Sequence, residues 1–283
     1  MKKLLAVAFF FIYISNRLSA QPYVDIISLQ GLYSDADNIL GEKKYDARVR
    51  WRSVQATLPY QFKDSSAFVA APGYDRWTIH STAATVKLVT AYLPLTYFRP
   101  LSAHSRIAAV VIPRFNSADE LKLNEKTFQY GGAVVYTWRK NPSFALKAGL
   151  YYNKEFFGNY FLPLVGIDWK VSDRLYIFGI VPNNLFIDYK LHERIHAGFA
   201  YRGITSSFRL RTESSLDYFS IEEGQLKLFV DFYLTKKIVL NIEGGQTAAR
   251  KYGVGMLDED VSVIDYNDGY IVKAGINYRL WVK

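Results

Sequence analysis

One pattern constrains this chain more than any other. Apolar and polar residues alternate with period two, over and over, and helix-like spacing between the runs is scarce. Side chains at i, i+2 and i+4 of a strand share a face, so each run describes a strand with one apolar side. In the last run Tyr270, Val272, Ala274, Ile276, Tyr278 and Leu280 oppose Lys273, Gly275, Asn277 and Arg279. Leu226, Leu228, Val230, Phe232 and Leu234 oppose Lys227, Phe229, Asp231 and Tyr233, and Ile238, Leu240 and Ile242 oppose Val239, Asn241 and Glu243. Further apolar faces run from Phe128 to Trp138, Phe144 to Tyr152 and Phe161 to Trp169. A tilted strand crosses a bilayer in roughly 9–11 residues, whereas strands of soluble sandwiches average about 5–6. The runs have the membrane length.

Composition agrees. The chain is 16% aromatic, yet its mean hydropathy is near zero. A helical membrane protein would be far more apolar. A barrel exposes only alternate residues to lipid and rings its two interfaces with aromatic side chains, so it combines both properties.

The first twenty residues read as an export address. Lys2 and Lys3 precede an apolar stretch from Leu4 to Ile14, and Leu18-Ser19-Ala20 supplies a small-residue cleavage site. That stretch is too short to span a bilayer as a helix, which takes about 20 residues. Removal at Ala20 takes Lys2, Lys3 and Arg17 away, and lowers the net charge from +9 to +6. The chain has no cysteine, which excludes disulfides, thiolate metal sites and a lipid-modified cysteine anchor. For an exported basic protein, outer-membrane lipid and lipopolysaccharide are more plausible partners than nucleic acid.

The expected fold is therefore all-β: one antiparallel up-and-down transmembrane barrel of about twelve strands, within a range of ten to fourteen. It spans 46–283, after a signal peptide at 1–20 and a periplasmic or lumenal segment at 21–45. Strands are expected to begin near Asp46, Thr78, His104, Thr127, Ser143, Tyr160, Arg174, Asn184, Arg194, Gly224, Lys237 and Tyr266. Short turns such as Lys140-Asn141-Pro142 and Ser172-Asp173 alternate with long loops such as Ala248 to Asp265. That asymmetry places the short turns in the periplasm. Phase slips are expected after Trp51 and across Gly203, where a bulge would restore the alternation. Trp51, Trp138, Trp169 and Trp281 are expected near the periplasmic interface, where an indole finds both apolar and wet surroundings.

The C-terminal strand carries the strongest motif. Lys273, Gly275, Tyr278 and Leu280 fit polar-x-Gly-x-x-aromatic-x-apolar, which resembles the signal read by the barrel-assembly machinery. Recognition there works by strand addition, with backbone hydrogen bonds for affinity and alternate side chains for specificity. The chain also resembles a family of uncharacterised Gram-negative outer-membrane β-barrels known only as a domain of unknown function. The likeness is strongest from Leu162 to Leu191, with its Gly-x-x-Trp and its Pro after a strand. It implies the fold and the compartment, and carries no functional residue with it.

Catalytic chemistry finds little support. The histidines are His80, His104, His192 and His196. Only His80, in His80-Ser81-Thr82, is expected near the outer rim, where a lipid hydrolase would hold a His and a Ser. No acidic orienter beyond Asp75 is evident. Asp258-Glu259-Asp260, Asp265 and Asp268 cluster on a predicted outer loop without the spacing of a calcium loop. No cofactor is expected.

What remains is polar and inward. Lys227, Asp231, Asn241, Glu243, Lys273, Asn277 and Arg279 project inward from three consecutive strands, within cross-strand reach. Arg48, Arg50 and Arg52 add a basic ladder expected towards the periplasmic mouth. Either the network fills the lumen of a structural or surface-interaction barrel, or water fills it and the protein passes small solutes. The charged character of the inward residues favours the second.

Overall fold

The computed structural model describes residues 22–40, 43–81, 85–211, 216–257, 262–265 and 267–281. The export address, its cleavage site and Asp258 to Asp260 lie outside these residues. The described residues form strands β1 (Tyr23–Leu40), β2 (Lys43–Ala56), β3 (Leu58–Gln61), β4 (Ala67–Ala70), β5 (Gly73–Ser81) and β6 (Thr85–Tyr92). There follow β7 (Leu95–Ser102), β8 (Ser105–Ala118), β9 (Phe128–Asn141), β10 (Phe144–Glu155), β11 (Gly158–Lys170) and β12 (Leu175–Val181). The chain ends with β13 (Asn184–His192), β14 (Ile195–Arg209), β15 (Tyr218–Tyr233), β16 (Ile238–Gly255), β17 (Ser262–Asp265) and β18 (Tyr270–Trp281). All join one sheet, and β1 pairs with both β2 and β18, which closes it.

Prolines explain why eighteen segments make fewer staves. Pro72, Pro94 and Pro113 lie side by side on neighbouring strands, and none can donate to the ladder. The ladder survives because their carbonyls still accept, from Ala56 (2.9 Å), Ala71 (2.9 Å) and Leu93 (3.0 Å) in turn. Thus β2 with β3, β4 with β5, and β6 with β7 are single interrupted staves, as are β17 and β18. The barrel has fourteen.

Two of those fourteen were absent from the sequence expectation of about twelve. The described part of the segment at 21–45 is not periplasmic or lumenal. Its strand β1 runs in the wall, registered from Tyr23 against Trp281 to Ser34 against Ile271. An alternating strand left unpaired would expose its amides inside the barrel, whereas pairing on both sides satisfies them. The second is the region read as one strand from Thr78, which is two staves whose alternation the prolines interrupt.

The faces follow the alternation. Leu228, Phe161, Val165, Val272, Val111 and Leu150 point outward and are each more than half exposed. An apolar belt of this extent is untenable against water but natural against lipid. Trp138 and Trp169 sit on the outer face near the short turns, as expected. Trp51 does not. The slip expected after it is absent: Ala47, Val49, Trp51 and Ser53 all point inward and are buried, while Arg48, Arg50, Arg52 and Val54 point outward. The arginine ladder therefore lies on the outside wall, at the end opposite the short turns, and not at the periplasmic mouth.

The wall is also lopsided. β12 and β13 are short, while β14, β15, β16 and β1 are long. Beyond the tips of β9 to β13, β14 bends over the lumen and pairs in parallel with β8, Arg209 against Ser117. The outer end is thereby closed into a narrower barrel of nine staves, in the order β14, β15, β16, β18, β1, β2, β5, β6, β8. Every one of these nine contributes to a continuous apolar core, which includes Leu32, Trp51, Trp77, Leu88, Phe208 and Tyr252.

Candidate functional site

The charged residues foreseen in the sequence come together on the inside of β15, β16, β18 and β1. Glu243 is central. Its two carboxylate oxygens receive Lys273 at 2.8 Å and Lys227 at 2.7 Å. Register brings Glu243 directly opposite Lys273. Lys227 lies opposite Gly245, where a Cβ would stand 2.0 Å from the carbonyl oxygen of Leu226. The missing side chain gives the lysine a clear path over the strand to its partner. Below this triad, Arg279 binds Asp25 with two nitrogens, at 2.7 and 3.1 Å, and Asp231 with a third, at 2.5 Å. Asn241 donates to the other oxygen of Asp231 at 2.7 Å. Asn277 is buried on the same wall, with its side-chain oxygen unpartnered by protein. The guanidinium of Arg279 also lies 3.6 Å from the ring centre of Tyr23.

The network extends further than the sequence suggested. Above the triad, Lys227 donates to Gln225, Gln225 to Glu223, and Arg250 binds Glu223 at 2.9 Å and Ser34 at 2.7 Å. The alternation of β15 gives Gln225 the same inward face as Lys227, so it was legible, whereas Glu223 stood at the end of a stretch expected to be loop. Arg250 was not legible either, because Ala249 has a φ of 53° and shifts the phase of β16 at a place expected to be loop. Three more buried pairs lie elsewhere on the wall, two between neighbouring staves and one across a single intervening stave. Lys147 meets Asp168 at 2.7 Å, His196 meets Asp188 at 3.0 Å, and Arg114 meets Glu155 at 2.5 Å. Glu155 also accepts from Gln129 and from the backbone and hydroxyl of Ser207, and so ties the tip of β10 to the overhanging β14.

Side chains from facing walls touch at several levels. At the short-turn end, Tyr23 packs edge-on against Phe178, with ring centres 5.6 Å apart, and Trp281 stacks on Tyr233 beside them. Higher up, the Arg202 guanidinium of β14 lies 5.0 Å from the Trp51 ring of β2. Above that stands the apolar core.

The other candidates separate. His80 is exposed and shares a hydrogen bond with Thr85 at 2.9 Å. His104 and His192 lie at short turns, and His196 is committed to Asp188. Asp268 accepts from Thr247 and from the Arg250 amide at 3.4 and 3.3 Å. Beside the β14–β8 join, a pocket of about 460 Å³ is lined by Ser117, Lys122, Asn124, Arg209 and Arg211 among others.

A family model described as a domain of unknown function, DUF6268, matches residues 74–262, about two thirds of the chain. The chain belongs to the DUF6268 family. No curated protein matches its sequence. Among solved structures, it is similar to an outer membrane channel of the COG4313 group from Pseudomonas putida F1, with 11% identity and a TM-score of 0.48, covering 91% of this chain and 96% of that one. A FadL homologue from Pseudomonas aeruginosa gives 9% identity and a TM-score of 0.49, covering 91% and 90%. The NanC porin gives 9% and 0.43, covering 90% of this chain and all of that one. The fold of this DUF6268 chain, a closed antiparallel β-barrel, follows from its own strands.

Proposed function

We propose that this DUF6268 barrel is a closed outer-membrane barrel that acts through its outer surface rather than along its axis. One observation carries the reading: the apolar core at the outer end draws on all nine staves that surround it. Protein interiors of this kind are packed about as densely as organic crystals and leave no room for a chain of water. The charges beneath it are tied to opposite charges in buried clusters, Glu243 to two lysines and Arg279 to two aspartates, so they form part of the wall and not a free ionic lining. Export by a cleaved signal peptide and recognition of the last strand by the assembly machinery belong to the same proposal.

A second reading, passive transport of small solutes, keeps one observation in its favour. In the half nearer the short turns, Asp168 Oδ2, Asp188 Oδ2, Asn241 Oδ1 and Asn277 Oδ1 are buried without a protein partner. Buried polar atoms of this sort are usually satisfied by water. Water held there would need an exit through the outer end. Single-channel recording of the refolded protein in a planar bilayer decides between the readings. The closed barrel gives no conductance steps; reproducible steps in the unaltered protein would overturn it in favour of transport.

A further inference from the structure

The outward-facing arginines do something the closed lumen does not require. On β2, Arg48, Arg50 and Arg52 are all exposed on one face, and the same face continues downward as Val54, Leu58 and Tyr60. On β5, Arg76 lies directly opposite Arg52, and Thr78 lies opposite Arg50. On β6, Lys87 lies opposite Thr78 and is exposed as well. Five cationic groups thus share one patch of three adjacent strands. Residues opposite one another on paired strands are about 5 Å apart at Cβ, and like charges placed so repel. None of the five forms an ion pair with a described residue. Two acids border it: Asp35, opposite Arg48, whose carboxylate accepts the Tyr270 amide at 3.0 Å on the other side of β1, and Asp119, whose amide donates to the Lys87 carbonyl and whose carboxylate pairs with Arg211 at 2.6 Å. Neither carboxylate is ion-paired with a cation of the patch, which keeps a net excess of positive charge.

Its height names the ligand class. Val54 to the turn at Phe62 covers roughly 26 Å of strand at about 3.3 Å per residue, or about 20 Å of membrane at the usual tilt. That is close to the apolar band of an outer-membrane barrel, about 25 Å tall. Arg52 therefore stands at the upper edge of the hydrocarbon, on the side of the long loops, at the level of the outer-leaflet headgroups. Guanidinium groups bind phosphate through paired, charge-assisted hydrogen bonds, which suits them to a phosphate at that depth.

We propose that the β2–β5–β6 patch is a binding site for the phosphates of the phosphorylated glycolipid of the outer leaflet, lipopolysaccharide. The site is independent of whether the barrel conducts. The test is native mass spectrometry of the refolded protein titrated with lipid A, with the same lipid A after removal of its phosphates, and with phosphatidylglycerol. The protein should retain phosphorylated lipid A at least about tenfold better than either of the others, a factor worth roughly 1.4 kcal/mol. The variant carrying Arg50→Gln, Arg52→Gln and Arg76→Gln should lose that preference. A control with Lys140→Gln and Lys236→Gln, at the opposite end, should keep it. Equal retention of the phosphorylated and dephosphorylated forms would overturn the proposal, even if the arginine variant failed to fold. So would equal retention of phosphatidylglycerol, or an unchanged preference in a folded arginine variant.

Discussion

The two ends of the barrel are held together by different physics. The outer end is narrowed to nine staves by the β14–β8 pairing and filled by apolar side chains, Trp51 and Trp77 among them. The end nearer the short turns keeps all fourteen staves and holds ionic groups on its interior wall, such as Glu243 between two lysines and Arg279 between two aspartates. A narrow barrel brings facing walls within reach of one another's side chains, so apolar groups fill it without leaving a void. A wider one cannot be filled that way, and its interior takes polar groups that satisfy one another or water. Lumen width sets the chemistry.

β18 runs through both ends and offers the sharpest break of the comparison. It pairs with β16 on one side and β1 on the other, so it closes both halves at once. Deleting Tyr278 to Lys283 removes Arg279, Trp281 and the aromatic of the proposed assembly signal together. The expected outcome is complete loss of barrel assembly, read as loss of the folded, heat-modifiable band in outer-membrane fractions. Normal assembly of the truncated chain would show that closure does not depend on this stretch, and would remove the proposed signal with it.

A smaller effect probes the outer end alone. Trp51 is 2% exposed and packs within the apolar core, against Trp77 at 5.8 Å between ring centres. Trp51→Ala leaves a cavity that the surrounding staves, fixed by their ladders, cannot collapse to fill. The expected cost is about 3–5 kcal/mol in reversible unfolding. A cost below about 1 kcal/mol would mean that this end is loosely filled, and the comparison with the wider end would fail.

Much of this architecture was legible in the sequence, and the gaps have definite causes. Alternation alone placed Lys227, Asp231, Glu243, Lys273 and Arg279 on one side, and register then paired them. What alternation could not supply was any contact across the lumen. The nine-stave closure depends on β14 bending over the short strands to meet β8, a meeting of residues far apart in the chain with no local signature. Trp51 was misplaced because an outward Arg48, Arg50, Arg52 face reads as the inward face of an ordinary barrel strand; near a headgroup region the assignment inverts. One stave of the fourteen was hidden by prolines that break periodicity without breaking pairing, and the other, β1, by placing the 21–45 segment outside the wall.

Glu243 provides the last and smallest test, and it asks how dry the wider end is. The carboxylate is 5% exposed and compensates two ammonium groups, Lys227 and Lys273. Glu243→Gln keeps the shape and one acceptor oxygen but removes the charge, which leaves two buried cations facing each other. In a dry interior, breaking such a group costs about 3–5 kcal/mol. Where water reaches it, the lysines are partly solvated and the loss falls towards about 1–3 kcal/mol. The unpartnered oxygens of Asn241 and Asn277 lie on the same interior wall, which favours the wetter value. Replacing all three residues, with Lys227→Met, Glu243→Leu and Lys273→Met, should restore most of the loss, since no orphan charge is left. Glu243→Gln should therefore cost less than Trp51→Ala in the same unfolding assay. The opposite order would make the wider end as dry as the narrow one, and the contrast between a packed outer end and a hydrated inner one would have to be abandoned.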